Sequence, residues 1–115
     1  MERGNLFVYG TLRRGSKNKY ARLLHAHARF LGDARMRGRL YQLDHYSGAV
    51  LSDQPDDWVD GEVFQLEEPS ILATLDEYEG AEFERAIIQV HLDSGEELEA
   101  WVYLFIGLTR TTEQH

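Results

Sequence analysis

"LFVYGTLRRG", residues 6–15, joins an unbroken apolar run to a glycine turn and two arginines. Continuous hydrophobicity over so few residues marks a central strand covered on both faces, because a half-exposed strand would alternate. The turn is not the Asn-Gly or Asp-Gly that a simple hairpin favours. Gly10 can take a positive φ and lets another group approach the main chain closely. The amide N–H groups of Thr11 and Leu12 behind it can converge into a cradle for an anion or carboxylate. A lone glycine also simply ends strands, and both readings stand at this point. Arg13 and Arg14 are either a solvated pair or a cationic rim to such a site.

The bulk properties narrow the classes of function. A chain of 115 residues supports one hydrophobic core, so residues 1–115 are expected to form a single domain. Hydrophobic residues make up 43% and charged residues 28%, the balance of a folded chain rather than a disordered one. Twelve Lys and Arg against 20 Asp and Glu leave a net charge of −8, which repels phosphate backbones and anionic lipid. No nucleic-acid partner is therefore expected. Cysteine is absent, which removes disulfides, thiolate metal sites and a Cys nucleophile and suits a reducing compartment. The N-terminal "MERGN" lacks the apolar region of a secretion signal, and no apolar run reaches bilayer-spanning length. A cytoplasmic protein with no membrane association is the expectation.

Further along, "SKNKYARLLHAHARFL" spaces Tyr20, Leu23, Leu24, His27 and Leu31 as a short amphipathic helix would, which makes His27 a candidate core histidine. "GRLYQLDHYSGAVL" and "WVDGEVFQL" read as strands separated by the polar loop "SDQPDD". "EEPSILATLDEYEG" has the punctuation of a helix, with Pro69 at its start and Gly80 just past its end. "RAIIQVHL" and "LEAWVYLFI" then form an antiparallel pair around the turn "DSGE". On the last strand Trp101, Tyr103 and Phe105 occupy the face that begins with Glu97 and Glu99, so its far half must be covered or line a pocket. Five or six strands with two helices in mixed order predict the α+β class: a small mixed β-barrel with flanking short helices.

The helix before Gly80 selects one carboxylate. At 100° per residue, the centre of the stripe formed by Ile71, Leu72, Leu75 and Tyr78 lies about 50° from Glu79, about 110° from Asp76 and about 150° from Glu77. Glu79 leans inward, while Asp76 and Glu77 read as the solvated face. Desolvation and the carbonyl-rich end of the helix both raise the pKa of Glu79, as a general base requires. The plainer alternative is that Glu79 pairs with Arg85 or reaches water. The five histidines, His25, His27, His45, His91 and His115, include no zinc-binding i, i+4 pair, and no metal site is expected. Motifs for a catalytic triad, a P-loop or a dinucleotide fold are absent.

With both stretches in view, the sequence resembles the gamma-glutamylcyclotransferase-like family over about Asn5 to Ile106. "VYGTLRRG" is similar to that family's signature turn and "LDEYEG" to the segment with its catalytic glutamate; "LYQLDHYSGAV" and "DGEVFQL" resemble strands of its small bacterial branch. The resemblance implies a β-barrel with flanking helices and a small-molecule γ-glutamyl substrate bound by Tyr9, Gly10, Thr11 and Leu12, largely through main-chain atoms. It implies Glu79 as general acid and base in closing the γ-glutamyl group to 5-oxoproline with release of an amine, without metal or cofactor. Phe83 stands where many members of that family carry a tyrosine, so a phenolic hydrogen bond from there is lost. Tyr103 can supply a hydroxyl or be a core aromatic. A non-catalytic module that binds a small carboxylate metabolite in the same fold is the competing expectation, and a structural barrel with a filled pocket is a third.

Overall fold

The computed structural model describes residues 4–10, 12–42 and 47–107. Among these the chain forms β1 (Asn5–Val8), α1 (Lys19–Ala26), β2 (Ala28–Gln42), β3 (Ser47–Leu51), β4 (Trp58–Leu66), α2 (Ile71–Glu79), β5 (Phe83–Leu92) and β6 (Glu97–Phe105). Strands β1, β4, β2, β5 and β6 close a five-membered barrel through the β1–β6 and β2–β5 pairings, and β3 bridges β2 and β6 beside it. The expected α+β barrel with two short helices is what forms.

β1 is the seam of this barrel. It runs antiparallel to β4 from Asn5 opposite Gln65 to Val8 opposite Glu62, and parallel to β6 at Leu6 opposite Trp101. The apolar run splits by strand periodicity. Phe7 enters the barrel interior with Met36, Val63, Val90 and Val102, while Leu6 and Val8 join Leu24, Phe64 and Leu75 under the two helices. Both faces are covered, as its continuous hydrophobicity requires. Full burial of each such side chain stabilises the fold by about 1.5–3 kcal/mol.

β2 departs from the sequence expectation. The helix stops at Ala26, and Leu31 lies on a 15-residue strand, not on α1. A register shift between Phe30 and Gly32 leaves Leu31 outside the pairing with β4. His27 is the C-cap of α1, and its Nδ1 lies 2.9 Å from Glu68 Oε1 near the surface, so it is not a core histidine. His91 is half-buried against the edge of Trp58 and 3.6 Å from Glu97. His45 and His115 lie outside the described residues.

The helices seat each other over the mouth of the barrel. Asn18 caps α1 by accepting from the amides of Tyr20 and Ala21, and its side-chain amide donates to the Tyr78 hydroxyl at 2.9 Å. Tyr20 stacks on Tyr78 with ring centroids 4.4 Å apart. Ile71, Leu72 and Leu75 anchor α2, and Gly80 ends it at φ +82°, a left-handed conformation that side chains disfavour. The helix therefore stops at Glu79.

Candidate functional site

Where β1 ends and α2 ends, the fold leaves an open cleft of about 1100 Å³, lined among others by Tyr9, Gly10, Leu12, Tyr78, Glu79 and Tyr103. That volume lies at the upper end for ligand pockets. The two sequence stretches that suggested a site thus meet at one cavity, although Gly10 and Glu79 stand 69 positions apart in the chain.

Each wall has its own cause. The Tyr9 hydroxyl donates to the Tyr103 carbonyl at 2.7 Å and accepts from the Ala49 amide at 3.0 Å. This phenol is a strut between β1, β6 and β3, and burial raises its pKa. Gly10 does not take the positive φ that its sequence context suggested. Its role is room: a Cβ built there would meet nothing within 4 Å, so the cleft reaches the main chain itself. The Gly10 carbonyl accepts from the Arg13 amide and from Arg13 Nε, which fixes the turn. Leu12 sends its side chain into the helix-side core, and its carbonyl accepts from His25 Nε2–H at 2.9 Å. Thr11 lies outside the described residues.

Glu79 faces this cleft with its carboxyl mostly buried. Among the described residues it makes no ion pair or hydrogen bond. Desolvation alone pushes its pKa up to about 7 from an ordinary 4.5. The alternative in which Arg85 neutralises it is not the arrangement found. Arg85 instead forks onto Asp76, with Nε to Oδ1 at 2.8 Å and Nη2 to Oδ2 at 3.1 Å, while its guanidinium lies over Trp101 at 4.4 Å. Asp76 is therefore not part of a merely solvated face. It also accepts from the Tyr103 hydroxyl at 2.7 Å, and the arginine and this hydroxyl hold its pKa below the usual value. Tyr103 is both candidates at once, a buried aromatic and a hydroxyl at the cleft, with its pKa raised by burial and by Asp76.

Arg13 and Arg14 both line the cleft, but Arg14 is already engaged. Its guanidinium lies 3.5 Å over the Phe30 ring and 3.6 Å from Glu62 Oε2, and its amide donates to Glu62 Oε1 at 2.7 Å. Glu62 was missed by sequence reasoning because alternation along "WVDGEVFQL" assigns it simply to the outer face. Phe83 lines the cleft and packs edge-on against Phe105 at 5.6 Å. No helix among the described residues is long and apolar enough to cross a membrane.

Comparison with known proteins agrees with this fold. A Methanocaldococcus jannaschii protein provisionally named a gamma-glutamylcyclotransferase is 29% identical over 102 residues, covering 87% of this chain and 82% of that one. The gamma-glutamylaminecyclotransferase of Mus musculus is 28% identical over 118 residues, covering 86% and 76%. The crystal structure of YkqA from Bacillus subtilis superposes with a TM-score of 0.72 at 28% identity. It covers 89% of this chain, which spans only 35% of that longer protein. Residues 6–115 match the model of one family. The chain belongs to the gamma-glutamyl cyclotransferase, AIG2-like family.

Proposed function

We propose that the protein cyclises a γ-glutamyl amine or γ-glutamyl peptide to 5-oxoproline, with Glu79 as the general acid and base. The substrate's glutamyl end lies against the main chain from Tyr9 to Leu12, where the missing Cβ of Gly10 leaves space for it. Glu79 takes a proton from the α-ammonium, and the freed amine attacks the γ-amide carbonyl to close a five-membered ring. The carboxyl group, now protonated, returns that proton to the departing nitrogen as the C–N bond breaks, and the ring nitrogen gives its second surplus proton to the released amine, leaving a neutral lactam and an ammonium. Nucleophile and electrophile belong to one molecule, so the protein's task is to hold a near-attack conformer and to move protons.

The observation that carries this reading is a buried glutamate, without a partner among the described residues, in the cleft that also exposes the Gly10 main chain. A pKa of about 7 instead of 4.5 makes this carboxylate a stronger base by about 3 kcal/mol of proton affinity. A carboxylate already paired with arginine would be a weaker base than an ordinary one. The names of the relatives point to the same chemistry, and the identity of the departing amine is left to experiment. The test is release of 5-oxoproline from a panel of γ-glutamyl amines, γ-glutamyl dipeptides and glutathione. Wild-type protein is expected to release it and Glu79→Gln is not; equal traces from both would overturn the proposal. A γ-glutamyl ligand that raises the melting temperature without turnover would identify a binding module instead.

A further inference from the structure

Arg85, the cation that the sequence offers as a partner for Glu79, is held by Asp76 three residues earlier on α2. Asp76 and Glu79 are three residues apart on α2, so their side chains rise from neighbouring positions on the helix surface. Arg85 stands on β5 opposite Tyr103 of β6, and Tyr103 is the shared neighbour. Its hydroxyl donates to Asp76, and its titration is sensitive to Arg85 and Glu79 alike. A guanidinium free to choose would satisfy the buried, partnerless carboxylate before the half-exposed one, because charge attraction is stronger where water is excluded. The two-pronged fork from Arg85, the Tyr103 hydroxyl and the Trp101 ring under the guanidinium together prevent that choice.

We propose that Asp76 is a positioning residue that detains the Arg85 guanidinium, so that Glu79 is left without an ionic partner in the cleft. The proposal rests on the reading of Glu79 as the base. Its electrostatic content, however, can be measured without any turnover. The titratable groups that line the cleft with Glu79 are Tyr9 just after β1, Tyr103 on β6, Tyr78 on α2 itself, Glu82 in the following turn, Asp60 and Glu62 on β4 and the Arg13–Arg14 rim. Burial raises the pKa values of the Tyr9 and Tyr103 hydroxyls, so neither carries a charge at neutral pH, and Arg14 is tied to Glu62. Arg85, held by Asp76 on the same helix turn, is the cation whose release the titration follows.

The experiment is a 13C NMR titration of the Glu79 side-chain carboxyl in the free protein, for wild type, Asp76→Asn, Arg85→Gln and the double variant. Removing the Asp76 charge frees Arg85, and the Glu79 midpoint is expected to fall by about one unit or more, the effect of an opposite charge at close range. Removing Arg85 leaves a bare Asp76 carboxylate nearby, and the midpoint is expected to rise. The double variant returns it close to wild type. Loosening of the helix would instead admit water and lower the midpoint in all three variants, so opposite shifts in the single variants separate detention of the cation from a structural role. A fall in Arg85→Gln, or a double variant as low as Asp76→Asn, would overturn the proposal. Should Asp76→Asn not fold, Arg85→Gln alone decides by its sign. Where 5-oxoproline release is measurable, the acid limb of kcat/KM follows the same shifts. If wild type releases none with any substrate, the functional reading fails, and the titration still reports on Asp76.

Discussion

Asp76 and Glu79 sit within one turn at the end of the same helix and have opposite surroundings. Asp76 has three donors on its carboxylate and a pKa below the ordinary value of 3.8. Glu79 has no donor among the described residues and is more deeply buried, which pushes its pKa up to about 7. The difference shows that the direction of a carboxylate's shift is set by whether donors accompany it out of water, and not by position on the helix alone. One carboxylate fastens α2 to the barrel wall, and the other is kept available for a proton.

The largest expected effect comes from removing the available carboxylate. Glu79→Gln is expected to lower 5-oxoproline release about 10²- to 10⁴-fold, the usual contribution of a general base. The readout is product formation at saturating substrate. A second consequence of the same substitution concerns stability. A carboxyl group whose folded pKa is raised contributes stability that is fully present below its unfolded value and lost as pH rises through the folded one. Above pH 7 the ionised Glu79 is therefore a burden of about 3 kcal/mol, taken from the displacement between 4.5 and about 7. Urea denaturation is expected to find Glu79→Gln more stable than wild type at mildly alkaline pH and equal to it below the ordinary value of 4.5.

Asp76→Asn is expected to behave in the opposite sense. A depressed pKa stabilises above the unfolded value of 3.8 and is lost as pH falls through the folded one, so this variant is less stable at neutral pH, with the gap closing only in acid. Coincident pH profiles for the two variants would remove the contrast between the carboxylates. Tyr103→Phe deletes one donor from Asp76 and is expected to cost about 1 kcal/mol by denaturation. The smallest effect on stability belongs to Gly10→Ala, whose Cβ meets nothing and whose φ is not positive. A change of under about 0.5 kcal/mol is expected, as for an unconstrained site. The same methyl group stands in the cleft, so isothermal titration with 5-oxoproline should show weakened binding without a loss of stability.

Much of this contrast was legible before the structure. The unbroken run at Leu6, Phe7 and Val8 announced a strand with two covered faces, and the phase of Ile71, Leu72, Leu75 and Tyr78 announced which carboxylate leans inward. Both are properties of a single element, carried by its own period. The fork from Arg85 to Asp76 joins residues nine apart on a helix and a strand, and no period in either reports the other. The strand from Ala28 was hidden for a related reason. "ARFLGDARMR" mixes charges with apolar residues, and Leu31 continues the helical phase of α1 by coincidence while a register shift sets it outside the ladder. Gly10 was identified both for a positive φ, which it does not adopt, and for the close approach it allows to the main chain, for which the open space at its Cα leaves room.

The account turns on Glu79 being both buried without a partner and the group that moves the proton. The pH dependence of kcat/KM for 5-oxoproline release from a γ-glutamyl amine tests both together. An acid limb with a midpoint near 7 and a tenfold change per pH unit, absent from the residual rate of Glu79→Gln, is the result expected. A rate that stays flat between about pH 5 and pH 8, or an acid limb that survives in the glutamine variant, would contradict it.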